Sequence, residues 1–439
     1  MRYMKEMYIL ILILAGCAFP FFASKNTGTD GVLEITLEES VRLAKENNIS
    51  IKTARNSLED LHTANKYSWN SVSPTANVSG SASQDFENDT KAVSVTGRVS
   101  MGLKTNLYTD ICGAKLQYEK GLITYSQAER AVELSVRKTF YNLLYQQENL
   151  ELQKQSLATA KGQYDQNQEK FKNGKISELD ALTSRVNYES KKPAVESAEI
   201  SLQNDLASFK QVLGIEQSQT VKLNGSLDEV LSVSTISADS LPVPDKPAPE
   251  VQSAEYDVKI AKNSLLDSRF SAYAPSVSAA YSYGKSAVQD SDTVNTTNAL
   301  SVEVSIPLDG YLPWSSRAVN ISSKKNSVDT AEKRLEDART SVAVQTESYI
   351  RKINLAVAQV ESLKATLNLA EQTYKMNLTA YNYGKTDLIS LQSASDSVLS
   401  AGVNLKSQAY TLISTILDLE NVLGIEFGTI ANLGNQTNA

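Results

Sequence analysis

The chain has 439 residues, 41% hydrophobic and 21% charged, with a formal net charge of −7 at neutral pH. Its length allows two or three ordinary domains, and its negative balance argues against a nucleic-acid partner, which needs a basic footprint. One histidine, His62, and two cysteines, Cys17 and Cys112, remove most metal sites, histidine acid–base pairs and any disulfide framework, so no metal or other cofactor is expected.

Arg2 and Lys5 precede an apolar run from Met7 to Gly16, the layout of an export signal. Leu14-Ala15-Gly16-Cys17 looks like a lipobox, in which the signal is cut before a cysteine that receives lipid. The alternative is an ordinary cut nearby, for instance after Ala18 with Gly16 as the small residue upstream. Residues 18–23 stay apolar, where a mature lipoprotein usually turns polar. Residues 1–17 are thus expected as a signal segment and Cys17 as a candidate lipid anchor. No later apolar run reaches the ~18 residues of a membrane helix, so a membrane crossing would need a closed β-barrel.

After the signal, Thr36 is a plausible N-cap for a helix opening at Leu37-Glu38-Glu39-Ser40-Val41, which is expected to run out at Pro74. Ala76, Val78, Gly80 and Ala82 then alternate with polar residues. So do Val93, Val95, Val99, Met101 and Leu103, against Ser94, Thr96, Arg98, Ser100 and Gly102. Period two with one apolar face predicts two strands joined by a polar loop, Gln84 to Lys91. From about Ala114 to Phe171 the apolar residues Val136, Leu143, Leu150, Leu157, Tyr164 and Phe171 recur every seven positions. That sustained heptad predicts one helix about 87 Å long with its seam facing a partner. Gly174 should end it in a left-handed turn. A return helix follows to about Gly214, with a kink expected at Pro193.

The same order then recurs. Phe171–Lys175 resembles Tyr381–Lys385, and Val212–Glu216 is identical to Val422–Glu426, both at an offset of 210. Internal repetition at a fixed offset divides the mature chain into two like halves, 32–230 and 250–428, with a C-terminal tail at 429–439. The segment between, 231–249, carries Leu241-Pro242-Val243-Pro244-Asp245-Lys246-Pro247-Ala248-Pro249 and reads as an extended proline-rich linker. The second half predicts a helix from Glu250 to Phe270 that stops before Pro275. Strands follow around Val277, Ala279, Tyr281 and Tyr283, then around Leu300, Val302, Val304, Ile306 and Leu308, with a loop at Gly284 to Asn298. The heptad Ile353, Val360, Leu367, Tyr374 and Tyr381 comes next, ended by Gly384, and a return helix runs to Gly424. Val403, at the position matching Pro193, predicts no kink.

The expected fold is therefore a mixed α/β membrane protein, with long antiparallel helical hairpins and four β-strands per chain. Four strands cannot close a barrel, and bacterial outer-membrane barrels begin at about eight strands. Three chains would contribute twelve. Alternation would turn Ser94, Thr96, Arg98, Ser100, Ser301, Glu303 and Ser305 to the lumen and the valines and leucines to lipid. Aromatic residues gather at the strand ends, at Tyr67, Trp69, Tyr108, Tyr273, Tyr311 and Trp314, as in an interfacial belt.

The order helix, strand hairpin, long helical hairpin, repeated once, resembles the TolC-like outer-membrane efflux protein family over nearly the whole mature chain. Residues 36–48, Thr-Leu-Glu-Glu-Ser-Val-Arg-Leu-Ala-Lys-Glu-Asn-Asn, resemble its opening helix, and Ala274-Pro275-Ser276-Val277-Ser278 resembles the start of its second hairpin. This resemblance implies a homotrimer in outer-membrane lipid with a periplasmic tunnel. It also implies a periplasmic adaptor and an inner-membrane pump as partners, and export rather than catalysis. The turns at Gly174-Lys175 and Gly384-Lys385 match the family's adaptor-contact tips. Asp180 matches a family acidic position near the tunnel constriction, whereas the second half has Ser390 and Ser393 there, which departs from a strongly acidic gate. Competing readings are a coiled-coil envelope protein, a periplasmic adaptor without a pore, and, least supported, a secreted hydrolase.

Overall fold

The computed structural model describes residues 32–86, 90–103, 105–237, 241–242, 246–288 and 294–430. The expected signal segment with Cys17 and the tail from 431 lie outside these residues. A short strand, β1 (Val32–Ile35), leads into α1 (Leu37–Asn47), capped by the Thr36 hydroxyl, which accepts from the Glu39 amide at 3.3 Å. The opening helix does not run on to Pro74. Asn48 adopts an extended backbone and its side chain accepts from the Ser50 amide at 2.8 Å, which ends α1 and starts α2 (Ile49–Lys66). Asparagine competes with the helix for backbone donors in this way and so favours caps over interiors. A short 3-10 turn at Ser68–Val72 completes the approach to Pro74.

Strands β2 (Thr75–Asp85) and β3 (Thr90–Leu103) form the first hairpin. Helix α3 (Leu107–Lys172) and its return α4 (Glu178–Leu213) follow, then β4 (Thr220–Leu223). The second half contains α5 (Pro249–Tyr273), β5 (Ser276–Val288), β6 (Val294–Ser305), α6 (Ser316–Asn382) and α7 (Leu388–Leu423). Helix α3 starts at Leu107, a full two turns before Ala114. Helix α4 continues across Pro193 without a break. The hairpin loops are shorter than their polar composition suggests. Gln84 pairs with Lys91 and Lys285 with Thr296, so the ladders extend through residues read as loop. Backbone ladders form regardless of side-chain polarity, so composition misplaced these four ends. At its other end β6 stops at Ser305, leaving Ile306 and Leu308 outside it.

The expected strands make one four-stranded sheet in the order β2-β3-β5-β6, antiparallel throughout. A second, unexpected sheet pairs β1 with β4 in parallel. Each of its strands has four residues, too few for a periodic signal.

The helices lie side by side as α4-α3-α7-α6 below and α2-α3-α5-α6 towards the sheet. The core sits mid-length. Ile35, Phe140, Leu143, Phe209, Leu213 and Leu223 form one buried cluster, and Ile353, Val360, Leu412, Ile416 and Leu419 another. The heptad seam is thus fully buried at Val136, Leu143, Ile353 and Val360, but only half-buried at Leu157, Tyr164, Leu367 and Tyr374. Towards the far end the buried residues become Ser156, Ala160, Gln163 and Asn167.

The segment after the first half is not simply an extended spacer. Val233 and Ile236 are buried in the second cluster. The Ile236 amide donates to Asn354 Oδ1 and its carbonyl accepts from Asn354 Nδ2, both at 2.8 Å. Lys364 Nζ donates to the Leu231 carbonyl at 2.6 Å, and Lys406 pairs with Asp228 at 2.7 Å. These contacts strap the segment, with Asp228 just before it, onto α6 and α7.

Candidate functional site

Register assigns the two faces of the four-stranded sheet. Residues directly opposite in a ladder share a face, and neighbours along a strand alternate. Arg98 pairs with Ser282 on β5, and Glu303 pairs with Ser278 on the same strand, four residues away. Arg98 and Glu303 therefore share one face, together with Ser94, Thr96, Ser100 and Ser301. That face is laced by hydroxyl contacts, Ser81 with Ser94 at 2.8 Å and Thr75 with Ser100 at 3.0 Å. The opposite face carries Val78, Val93, Val95, Val99, Met101, Leu103, Tyr281, Leu300, Val302 and Val304. All of these are exposed in the single chain, Val78 at 79% and Leu300 at 74%. A contiguous apolar face of that extent marks a protein or membrane contact rather than a solvated surface. The strands have 11, 14, 13 and 12 residues, enough for the roughly 9–11 that span a bilayer as tilted strands.

Strands β2 and β6 are the two edges of the sheet. The proposed belt residues stand at the strand ends nearest the helices, and all are exposed. Trp69 is in the turn before β2, Tyr108 is in the first turn of α3, and Tyr311 and Trp314 lie between β6 and α6. Tyr273 and Tyr311 pack their rings with centroids 5.1 Å apart.

At the far end of the helices the two tips share one construction. Gly174 has φ +66° and Gly384 φ +69°. At the first tip the Lys175 amide donates to the Lys170 carbonyl and the Gly174 amide to the Phe171 carbonyl, both at 2.8 Å. At the second, Lys385 donates to Ala380 at 2.8 Å and Gly384 to Tyr381 at 3.0 Å. Both are Schellman motifs, which require the left-handed backbone that glycine adopts freely. The return helices are then capped by side chains. Ser177 Oγ accepts from the Asp180 amide at 3.1 Å and contacts Asp180 Oδ2 at 2.8 Å. Asp387 Oδ1 accepts from the Ser390 amide at 2.6 Å, a bond that holds the Asp387 carboxyl below its ordinary pKa. Asp180 and Ser390 thus take part in capping their helices and are half-buried. Ser393 is exposed one turn on, its carbonyl accepting from Ser397.

Several contacts near this end had no legible sequence signal. The Tyr381 hydroxyl donates to Asn167 Oδ1 at 2.8 Å, and Lys170 Nζ lies 4.7 Å from the centre of the Tyr381 ring. Burial pushes the Tyr381 phenol pKa up, against the opposing bond to Asn167. Tyr381 was legible as a heptad residue, but its partner on α3 was not. Lys191 of α4 and Asp396 of α7 pair at 2.6 Å, a second tie between the hairpins.

A third group closes the middle of the bundle. Glu420 is fully buried and accepts from the amides of Gly428 at 2.9 Å and Ile430 at 2.8 Å. Burial raises its pKa above the ordinary range. Arg130 donates to the carbonyls of Glu420 and Ile425, and its guanidinium lies 4.7 Å from the centre of the Phe427 ring. This arrangement anchors the chain's last described residues. Among the described residues no cluster of His, Cys, Asp or Glu is placed to hold a metal ion, and no helix is long and apolar enough to cross a membrane.

Comparison with known proteins agrees with this architecture. The chain is 19% identical over 306 residues to the outer membrane protein TolC of Vibrio cholerae, covering 68% of this chain and 69% of the relative. Its fold matches the CmeC outer membrane channel of Campylobacter jejuni with a TM-score of 0.71 at 19% identity, over 91% of this chain and 88% of that one. It also matches the outer membrane protein VceC of Vibrio cholerae with a TM-score of 0.68 at 13% identity, over 89% and 96%. The MtrE outer membrane channel of Neisseria gonorrhoeae, in its open state, matches with a TM-score of 0.66 at 18% identity, over 89% of each chain. The sequence profile of the outer membrane efflux protein family matches residues 42–215 and 246–425, most of the chain. The chain therefore belongs to the outer membrane efflux protein family.

Proposed function

We propose that three copies of this chain close a twelve-stranded barrel in the outer membrane, continuous with a helical periplasmic tunnel. The assembly is the exit duct of a tripartite efflux or type I secretion system, carrying small molecules or polypeptides outward. The observation that carries this reading is the two-faced sheet, with its apolar face bare and its edges at β2 and β6. An exposed edge and a bare apolar face are liabilities that closure into a barrel within lipid removes. In that barrel β6 of one copy pairs with β2 of the next, and with the apolar face turned to lipid Arg98 and Glu303 line the lumen and the aromatic belt stands at the membrane boundary.

At the other end, the turns at Gly174-Lys175 and Gly384-Lys385 contact a periplasmic adaptor, which couples the duct to an inner-membrane pump. Asp180, Ser390 and Ser393 lie at the constriction. Cys17, if acylated, adds a lipid anchor. The test is heat-modifiable trimer migration of the outer-membrane fraction, together with conductance of the purified protein in planar bilayers. A coiled-coil envelope protein or an adaptor would give neither a heat-modifiable trimer nor discrete conductance steps.

A further inference from the structure

The two halves fill the same place differently. In the first hairpin Tyr164 of α3 stacks on Tyr188 of α4, with centroids 5.9 Å apart and planes 8° from parallel. Lys192 Nζ lies 4.5 Å from the centre of the Tyr188 ring. In the second hairpin, at the repeat offset, Tyr374 is retained. Val398 stands where the first has Tyr188, and Gly402 where it has Lys192. A ring and an amine-bearing chain are therefore absent on one side of Tyr374, which has no ring partner among the described residues.

A cavity of about 220 Å³ lies there, between α3 and the α6–α7 hairpin, lined in part by Leu152, Ser156, Tyr374, Val398 and Gly402. A methyl group at Gly402 would stand 3.3 Å from Leu152 Cδ1, so α3 closes that side. Ser156 is about nine-tenths buried, and its Oγ has no hydrogen-bond partner among the described residues. A buried hydroxyl without a partner is costly, so turning the Ser156 side chain into the cavity would favour an occupant that can bond to it. A dry apolar cavity of about 150 Å³ admits benzene, so this one, partly open to solvent and lined also by Glu371 and Lys406, has room for a substituted ring.

We propose that this cavity binds a small phenol, with its ring against Tyr374 in the place of the missing tyrosine ring and its hydroxyl bonded to Ser156 Oγ. The occupant would bridge α3 of the first half to α6 and α7 of the second. The side chain that the first hairpin supplies from within is chemically p-cresol, which is therefore the probe.

The test is a ligand-detected NMR titration of the full-length protein, purified in detergent, with p-cresol and with toluene. Saturable p-cresol binding is expected, with a rise in melting temperature as ligand is added. Val398→Tyr fills the space from within and should abolish both binding and the melting shift. Ser156→Ala should weaken p-cresol about fivefold while leaving toluene unchanged. This second variant keeps the test valid should Val398→Tyr fail to assemble. Absence of saturable p-cresol binding to the unmodified protein would overturn the proposal. So would p-cresol affinity unaltered by both substitutions.

Discussion

The hydroxyl of Tyr381, near the end of α6, donates to Asn167 Oδ1 on α3 at 2.8 Å and joins the tips of the two hairpins. Asn167 is fully buried, and its Nδ2 has no partner among the described residues. The seam here is polar, where the middle of the bundle is hydrophobic. The tie therefore rests on a few specific bonds rather than on buried area.

Tyr381→Phe removes one such bond, worth about 0.5–1.5 kcal/mol. That difference corresponds to a shift of up to about tenfold towards separated tips. The expected outcome is a larger or more frequent conductance step in planar bilayers, with trimer yield unchanged. A conductance trace identical to that of the unmodified protein would show that the bond does not restrain the tips.

The sheet register predicts labelling by position. Single cysteines at Arg98 and Glu303, in a background lacking Cys17 and Cys112, should react with a membrane-impermeant maleimide. Cysteines at Val95 and Val304, on the opposite face, should stay unlabelled in membranes and react after detergent extraction and unfolding. Equal labelling of all four in intact membranes would reject the lumen assignment.

Gly384→Val tests the tip by backbone strain alone. A side chain at Gly384 would meet no atom within 4 Å, but φ is +69°, where a β-branched residue is strained. The cost is roughly 1–3 kcal/mol, confined to the turn. Export of a pump substrate and cross-linking to the adaptor should fall several-fold while trimer abundance stays within about 20%. Gly80→Val, at an ordinary 3.9 Å contact within β2, should leave tip coupling intact. Normal export from Gly384→Val would remove this turn from the coupling site.

Glu133 gives a pH dependence. Burial would raise its pKa, but bonds from Lys45 at 2.6 Å and Arg137 at 2.8 Å hold it below the ordinary value of 4.5. A carboxylate with a depressed folded pKa contributes stability that is present above the unfolded value. That contribution is lost as pH falls through the folded one. Glu133→Gln should cost roughly 1–3 kcal/mol near neutral pH, where the charged bonds are intact. Its melting temperature should then converge on that of the unmodified protein as pH drops below 4.5. A constant gap from pH 7 to pH 3 would contradict this role.

Asn354→Ala removes both bonds to the Ile236 backbone and leaves that buried peptide unpaired, at a cost of about 1–3 kcal/mol per group. The strap should loosen before the bundle does. Limited proteolysis is expected to cut between residues 228 and 249 at least several-fold faster, with the tips unaffected. Unchanged cleavage there would mean that the strap is held by Val233, Ile236 and the lysine contacts alone.

Much of this protein can be read directly from its chain. Alternation from Val93 to Leu103 identified both the strand and its faces, because side chains in a ladder have a period of two whatever surrounds them. Gly174, Gly214, Gly384 and Gly424 marked four helix ends, since all four adopt the left-handed backbone that few other residues accept. Repetition at one offset gave the order of elements twice. Short or non-periodic features were not legible. These include the parallel pair β1 and β4, the break at Asn48 and the strap on Asn354, whose partners are remote in sequence and carry no local pattern. Polar residues at the strand tips were misread for the complementary reason, since composition cannot report a backbone ladder. Pairings across the two halves were decided only by the tertiary structure. Asn167 with Tyr381, Lys191 with Asp396, and the gap left by Val398 and Gly402 arise because packing sets two distant segments side by side. A periodic sequence specifies which face of a helix is buried, but not which atom of another helix it will meet.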